Sequence, residues 1–430
     1  MNASKSGSAA VAEGEGLRAW EFVKRVVDEV GPRVPCSPAE AEAAEVVRAE
    51  MEGICDEVAV EPFTCHPRAF LGWIRLDLGL VLLSFFLYYL AALLGARWLA
   101  LVASVPALVA VLVAWREFFC YDEFVDRLFR ERSSQNVVGR ILPREGGPPR
   151  KLVIFAGHHD SALQFNLLRY LKAGYGVVSF LGLGVMFFWA GASLVASVGA
   201  QFAGSWLSGF WPVARRTFWL GLPLFVLLFF FVSSDEKANV VPGAVDNLSA
   251  VAVVLALGRC LRARPELVPP GVEVRLVSFG CEEAGLRGAY RYAAAHREEL
   301  LALDAELYNM DGLQAASALR VLTYEPTTRT RHDRGLVEKA LRAASRAGVE
   351  AVAFGDGAME RVLGQISGGT DAAAFSKAGL RATSLTSMRI VDAVRYYHQP
   401  TDGPEQVDPR ALEEALRVCL EVLAETGGKT

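Results

Sequence analysis

Two adjacent glutamates, Glu282 and Glu283, stand in a glycine-punctuated loop directly after an apolar run, residues 272–278, that predicts a buried strand. Chemistry in open α/β sheets collects at the carboxyl ends of strands. Because adjacent carboxylates repel each other, the pair is easiest to explain if one binds a cation while the other moves protons. A solvated acidic turn is the commoner origin of a lone Glu-Glu pair, so partners elsewhere in the chain decide between the two interpretations.

Candidate partners are few, because the chain has only six histidines. His158 follows a predicted strand, and Asp160 is placed to accept its second ring proton. His398 lies in a loop near the other end of the chain, and Asp246 and Asp311 stand at the edges of other predicted elements. Each residue alone is a weak signal, since an aspartate before an apolar run is an ordinary helix N-cap.

The order of these fragments is more informative than any one of them. Along the chain come His158-x-Asp160, Gly243-Ala244-x-Asp246-Asn247-x-Ser249, Glu282-Glu283-x-Gly285-Leu286-x-Gly288, Asn309-x-Asp311 and Tyr397-His398-x-x-x-Asp402. This series resembles the M28 family of zinc peptidases, which contains co-catalytic dizinc aminopeptidases and carboxypeptidases. The resemblance covers roughly residues 17–66, 120–165 and 237–426.

The resemblance implies two Zn²⁺ ions per chain and a role for each matched side chain. Five residues would be metal ligands: Asp246 shared by both ions, His158 and Asp311 on one ion, and Glu283 and His398 on the other. Three would serve catalysis: Glu282 as the general base, Tyr397 as a donor to the oxyanion, and Asp160 as the residue that orients His158. Two departures concern substrate preference: Val245 stands where the family usually has an acidic residue, and Gly369-Thr370-Asp371-Ala372 stands where it usually has a Ser-Asp-His stretch.

Four long apolar runs interrupt the matched segments. Residues 78–94, 98–115 and 217–234 carry no charge, and neither does the 42-residue stretch 173–214. A helix needs roughly 17–25 residues to cross the hydrocarbon of a bilayer. The pattern predicts four transmembrane helices in two hairpins, with residues 201–211 as an interfacial stretch, and a pair of buried core helices is the alternative for the first hairpin.

The remaining segments predict an α/β fold, a mixed and mostly parallel sheet flanked by helices, and the resemblance implies the zinc-exopeptidase form of it. The predicted organisation is a disordered tail (1–16), one catalytic domain in three parts (17–70, 119–170 and 236–430) and two inserted transmembrane hairpins (71–118 and 171–235). The insertions should hold the active site near a membrane surface.

Composition and the distribution of charge limit the partners and the cellular location that the sequence predicts for this protein. The net charge of −4 gives no reason to expect nucleic acid as a partner. Seven scattered cysteines without a CxxC pair argue against a disulfide framework and against a thiolate zinc site. Lys and Arg near the predicted span ends number nine on the catalytic side (68, 75, 116, 127, 130, 132, 169, 172, 237) and three at the tips (97, 215, 216). With no signal peptide recognised, this bias predicts an integral protein of the cell membrane with a cytoplasmic catalytic domain.

The function predicted from these features is a membrane-anchored dizinc exopeptidase, in the first place an aminopeptidase, with a peptide as substrate and the lipid bilayer as partner. One alternative is a glutaminyl-cyclase-like transferase with a single zinc ion, and another is a non-catalytic membrane receptor or scaffold on the same fold. The complete ligand set disfavours the latter, because buried repelling carboxylates have no use in it. A homo-oligomer is compatible with the sequence.

Overall fold

A computed structural model describes residues 12–233, 239–364 and 368–428. The predicted tail lies outside the described residues up to residue 11, as does Lys237. The helices are α1 (Glu15–Glu29), α2 (Pro38–Glu52), α3 (Ala69–Leu94), α4 (Arg97–Ala114), α5 (Asn166–Leu171), α6 (Gly174–Phe202), α7 (Ser205–Phe229), α8 (Ser249–Ala263), α9 (Arg287–Ala295), α10 (Arg297–Ala302), α11 (Arg334–Ala347), α12 (Ala358–Leu363), α13 (Asp371–Lys377), α14 (Ile390–Tyr396) and α15 (Pro409–Gly427).

Ten strands complete the inventory of the described residues. They are β1 (Glu57–Cys65), β2 (Arg132–Ile141), β3 (Lys151–His158), β4 (Val272–Phe279), β5 (Glu306–Met310), β6 (Leu319–Leu322), β7 (Tyr324–Glu325), β8 (Thr330–Arg331), β9 (Ala351–Phe354) and β10 (Arg381–Thr386). Eight of them form one sheet in the order β1-β2-β4-β3-β5-β10-β6-β9, and β7 and β8 pair separately.

The main sheet is parallel at its centre and antiparallel on the side of β1 and β2, and beyond β10 it has an antiparallel pair, β10–β6, followed by a parallel edge pair, β6–β9. Strands β4, β3, β5 and β10 run parallel, whereas β1, β2 and β6 each have an antiparallel neighbour. The predicted mixed, mostly parallel sheet flanked by helices is confirmed. Two β-rich runs in the sequence, residues 136–142 and 152–156, predict a hairpin or two neighbouring strands. This prediction is wrong, because β4 pairs with both β2 and β3 and lies between them.

The chain divides into two compact units. The first consists of residues 1–67, 131–164 and 235–430 and contains the sheet, and the second consists of residues 68–130 and 165–234. The core of the first unit is centred on α8, whose residues from Ser249 to Leu257 are all buried. Helix α8 crosses β3 closely at Gly157, where an added Cβ would lie 2.6 Å from the Cβ of Ala250. Only glycine permits this approach, which brings the start of α8 to the end of β3.

The second unit is built from the four long helices α3, α4, α6 and α7. All four are long and apolar enough to cross a membrane. Their inward contacts include polar ones: the Trp189 indole donates to Ser84 Oγ at 2.9 Å, and that hydroxyl donates to the Ala103 carbonyl at 2.6 Å. Their outward side chains are large and apolar, as at Leu93 and Leu220, which are 67% and 73% exposed. This distribution is the reverse of a water-soluble bundle.

A fifth helical stretch, Ala244–Ala263, also has the length and composition of a span, but 94% of its most apolar 18-residue window is buried inside the first unit. It contains α8 and belongs to the core of the sheet-bearing unit. A helix that is apolar all round is as typical of a protein core as of a membrane, and burial separates the two cases here.

Two local predictions in the second unit need correction. The polar, amphipathic pattern of residues 123–132 predicts a helix. The structure has only a short turn there, at Asp126–Leu128, because the Glu117 carboxylate accepts the amides of Phe124 and Val125 and holds the chain out of a helix. The stretch 201–211 is not a separate interfacial segment. It contains the bend between α6 and α7, and α7 then continues unbroken to Phe229, which places Arg215 and Arg216 inside a helix instead of at a hairpin tip.

Candidate metal centre

The candidate centre lies where three neighbouring parallel strands end. His158 is the last residue of β3, Glu282 and Glu283 follow β4, and Asp311 follows β5. Because the carboxyl ends of parallel strands meet at one edge of a sheet, these side chains converge. Asp246 joins them from the segment before α8, and His398 joins them from the loop after α14.

Asp246 lies at the middle of the cluster. One carboxylate oxygen, Oδ1, is 3.2 Å from His158 Nε2, and the other, Oδ2, is 3.2 Å from His398 Nε2. His398 Nε2 is also 3.4 Å from Glu283 Oε1. Potential ligand atoms thus form two groups that share Asp246: one with His158 and Asp311, the other with Glu283 and His398, each within 4.8 Å.

Glu282 stands beside the first group without belonging to either. Its Oε2 atom is 3.6 Å from His158 Nε2. Burial raises the pKa of Glu282 well above its usual range, the positive charge of His158 opposes that rise, and the Glu283 and Asp311 carboxylates add to it. A buried carboxyl with a raised pKa is suited to accept and return a proton.

Asp160 fixes both the first histidine and the glutamate loop. Its Oδ1 atom is 3.3 Å from His158 Nδ1. Its two carboxylate oxygens also accept the backbone amides of Glu282, at 3.1 Å, and Glu283, at 3.0 Å. The sequence predicted the contact with His158 but not the two amide bonds, which bring the glutamates to the end of β3.

Asp402 positions Asp246, a role that the sequence analysis did not assign. The fully buried carboxylate of Asp402 accepts the amides of Val245 at 2.8 Å and Asp246 at 3.3 Å. Burial raises the pKa of Asp402, as does the charge of Asp246, while the two amide bonds lower it. Its place in the Tyr-His-x-x-x-Asp pattern was the available signal.

The sequence analysis also assigned no role to Arg33, although Gly31-Pro32-Arg33 lies in the segment 17–66 that resembles M28 peptidases. Its buried guanidinium donates to the carbonyl oxygens of His159 at 2.8 Å, Pro242 at 2.7 Å and Gly243 at 3.0 Å. It therefore joins the end of β3 to the segment that carries Asp246. Gly243 has φ +62°, and a Cβ there would lie 2.8 Å from the guanidinium, so glycine is required.

Two further predicted or noted residues lie at the edge of the centre. The Tyr397 ring stacks on the His398 imidazole, with ring centroids 3.9 Å apart. Asp371, at the start of α13, is fully buried, and its carboxylate oxygens hydrogen-bond to none of the described residues. Its negative charge contributes to the raised pKa of Glu282, which makes Asp371 a neighbour of the candidate base.

The arrangement fits a pair of cations. The buried atoms His158 Nε2 and Glu283 Oε1 make no hydrogen bond within the described part of the chain. Four carboxylates, those of Asp246, Glu282, Glu283 and Asp311, converge with two histidines, and buried charges of one sign need compensation. Imidazole nitrogen and carboxylate oxygen are ligands that zinc accepts.

Comparison with known proteins agrees with this geometry. Residues 232–423 match the model of peptidase family M28. The resemblance to M28 peptidases is confirmed. Aminopeptidase YwaD of Bacillus subtilis (strain 168) is 27% identical over 180 residues, which are 40% of this chain and 35% of that protein. The chain therefore spans about a third of the length of this curated relative.

Solved structures share the fold. The zinc aminopeptidase BSAP from Bacillus subtilis superposes with a TM-score of 0.54 at 15% identity, over 96% of this chain and 95% of that one. A glutaminyl cyclase from Fimbriiglobus ruber gives 0.53 at 13% identity, over 95% and 94%. Both the peptidase and the cyclase likeness are thus of fold alone.

Proposed function

We propose that this protein is a dizinc aminopeptidase in which Glu282 activates the attacking water. The observation that carries the proposal is the position of Asp246, whose two carboxylate oxygens each lie 3.2 Å from a different histidine. A carboxylate shared in this way offsets the repulsion between two cations a few Å apart. Two bound zinc ions would polarise the substrate carbonyl and make water easier to deprotonate at neutral pH.

Each residue of the centre would have a separate role in holding the two ions. Asp246 would be shared, His158 and Asp311 would hold one ion, and Glu283 and His398 would hold the other. Asp160 and Asp402 would keep these ligands in place through the amides that they accept. Both carboxylates act on backbone groups, so they fix the ligands without occupying a coordination position.

Glu282 would take a proton from water as the water oxygen attacks the scissile carbonyl carbon. When the carbon–nitrogen bond breaks, the same carboxyl would return the proton to the leaving amine, so the residue ends as it began. Its position 3.6 Å from His158 Nε2 puts it beside the ligand cluster without making it part of either ligand group. Tyr397, stacked on His398, would donate a hydrogen bond to the oxyanion.

The second unit would anchor the enzyme in a bilayer by α3, α4, α6 and α7. Large apolar side chains on its outside and hydroxyl contacts on its inside support this proposal. An even number of crossings returns the chain to the same side after each hairpin, and the charge bias favours the cytoplasmic side for the first unit. Short peptides at a membrane surface would then be accessible substrates.

A glutaminyl-cyclase-like transferase is the second candidate, because a cyclase shares the fold over 95% of this chain. The discriminating experiment uses the full-length protein, purified in detergent with zinc, and three substrates of equal length. These are an aminoacyl reporter peptide, a peptide with an amino-terminal glutamine and a carboxy-terminal reporter. The proposal predicts release of the amino-terminal residue from the first, whereas cyclisation of the second without hydrolysis of the first would favour the cyclase.

A further inference from the structure

Three cysteines that are far apart in sequence meet in the first unit. Cys36 precedes α2, Cys65 ends β1 and Cys281 follows β4. The Cys36 sulfur is 3.6 Å from that of Cys65 and 3.4 Å from that of Cys281, and all three sulfurs lie within 4.8 Å of one another. All seven cysteines of the chain lie within the described residues and are free thiols. The sequence, which has no CxxC pair, argued against such a thiolate cluster.

The spacing of the three sulfurs is that of ligands around one ion. Zinc–sulfur bonds of about 2.3 Å place the sulfurs of one site roughly 3.8 Å apart, close to the two measured distances. Cys65 and Cys281 are buried, and Cys36 is half-buried, so an ion can enter from the side of Cys36. Phe63 and Ala284 pack against the sulfurs and limit the approach of water.

The backbone around the thiols is held by a buried carboxylate. Glu40 Oε2 accepts the amide of Cys36 at 2.6 Å, and Glu40 Oε1 accepts that of Cys281 at 2.9 Å. Ser37 and Glu40 have the spacing of a capping box, which predicts the start of a helix, and the Glu40 amide does donate to Ser37 Oγ at 3.1 Å. Its carboxylate instead reaches across to the cysteine loops, which fixes two of the three sulfurs before any ligand binds.

The surroundings favour the thiolate form at Cys65 but not at the other two thiols: burial raises the pKa of Cys281, and its hydrogen bonds with Cys36 and Cys65 and the charge of Glu40 add to that rise. The hydrogen bond with Cys281 lowers the pKa of Cys36, but the hydrogen bond with Cys65 and burial raise it overall. Hydrogen bonds from Cys281 and Cys36 are the largest cause that lowers the pKa of Cys65, to about 4, and the charges of Arg287 and Arg291 lower it further against the effect of burial. Metal ions bind the thiolate form, and nearby cations favour it. The two arginines stand in α9, which begins six residues after Cys281.

We propose that Cys36, Cys65 and Cys281 bind a thiophilic metal ion, such as zinc or copper(I), at a site distinct from the carboxylate–histidine cluster. Binding would release to solvent whatever protons the thiols still hold, and three metal–sulfur bonds would form. Because Cys281 directly precedes Glu282, the bound ion would tether the loop that presents Glu282 and Glu283 to α2 and β1. The site would therefore stabilise the catalytic loop without contacting the substrate.

Cadmium tests this site directly, because a cadmium–thiolate bond gives a charge-transfer band in the near ultraviolet that carboxylate and imidazole ligands do not give. The full-length protein, reduced and in detergent, should develop this band with saturation at one cadmium ion per chain. Cys36→Ser and Cys65→Ser should each weaken or remove it. Cys260→Ala, which changes a buried cysteine outside the cluster, should leave it intact.

The charge-transfer band reports only on cadmium bound to thiolates, so the result does not depend on peptidase activity. Asp246→Asn, which alters the carboxylate–histidine cluster, should leave the band unchanged. Absence of the band in the reduced wild type would overturn the proposal, and so would a band that persists at full strength in both serine variants. Because Cys36 is half-buried, its serine variant should fold, and circular dichroism of that variant checks this.

Discussion

Glu282 and Glu283 are neighbours in sequence, yet their carboxylates lie in different surroundings. Glu283 Oε1 points at His398, 3.4 Å away, whereas Glu282 Oε2 lies 3.6 Å from His158. The Asp160 carboxylate accepts both of their amides and so separates the two side chains while holding their backbone. The geometry therefore places one glutamate in a ligand group and leaves the other beside it.

Conservative changes at these two positions should have different effects on metal content. Glu282→Gln should lower kcat/KM about 10²–10⁴-fold, the usual contribution of a general base, while the zinc content stays at the wild-type value. Glu283→Gln is the matched control at the next residue, and it should lower the zinc content as well. Metal analysis with peptide hydrolysis measures both. Wild-type activity in Glu282→Gln would exclude this residue as the base.

Some residues of the centre can be predicted from the sequence, and others cannot. The matched motifs named Asp246, His158 and His398 because ligand side chains must stand at fixed places relative to strand ends. Asp402 and Arg33 act on backbone amides and carbonyls of distant segments, so nothing in the residue types around them shows which groups they reach. The sequence analysis missed the three-cysteine cluster for the same reason, because its cysteines stand in three separate segments that meet only in the folded chain.

At the scale of elements, the sequence predicts single strands and helices better than their pairing. Helix α11 runs from residue 334 to 347 as its periodicity predicts, and β4 exceeds its prediction by one residue. The order of strands depends on contacts between segments more than a hundred residues apart, and the insertion of β4 between β2 and β3 is such a contact. The periodicity of apolar residues shows which face of a helix or strand is buried, but it does not show which other element lies against that helix or strand.

One pairing between elements should depend on pH. The His296 ring, at the junction of α9 and α10, has Nε2 2.9 Å from Glu61 Oε1 on β1. This hydrogen bond is the largest cause that raises the pKa of His296, and Glu299 adds to it against burial and Arg275. Since the folded pKa is the higher one, the stabilisation is complete below the unfolded pKa of about 6.5 and is lost as pH rises through the folded value.

Glu61→Gln should therefore lower the free energy of unfolding at pH 6, by about 0.5 kcal/mol for a pair that is partly exposed, and have little effect at pH 9. Glu57→Gln is a control on the same strand, because Glu57 pairs with Arg140, which stays charged at both values. Its effect should be the same at pH 6 and pH 9. Thermal unfolding of both variants in detergent measures the difference, and an equal effect of Glu61→Gln at the two values would contradict this assignment.

At the scale of the whole molecule, apolar helices occur in two different settings. Helix α8 is buried in the sheet-bearing unit, whereas α3, α4, α6 and α7 carry large apolar side chains on their outside. Composition does not separate these settings, since all meet the same criteria of length and hydropathy. Arg215 and Arg216 are exposed inside α7, and a charge at mid-membrane is costly. We therefore expect their long side chains to extend to the headgroup region.

The proposed orientation can be tested with single cysteines and a membrane-impermeant thiol reagent. Glu145→Cys lies in an exposed turn of the first unit, and Ser205→Cys lies at the exposed bend between α6 and α7. In intact cells the reagent should label Ser205→Cys above the wild-type background, and it should label Glu145→Cys only after permeabilisation. The opposite pattern would place the catalytic unit outside the cell.

The most direct test of the central claim is an anomalous difference map at the zinc absorption edge, from crystals of the full-length protein grown with zinc. The account predicts two peaks at the carboxylate–histidine centre, one beside His158 and one beside His398, with the Asp246 carboxylate between them. A single peak there, or peaks that do not flank Asp246, would contradict it.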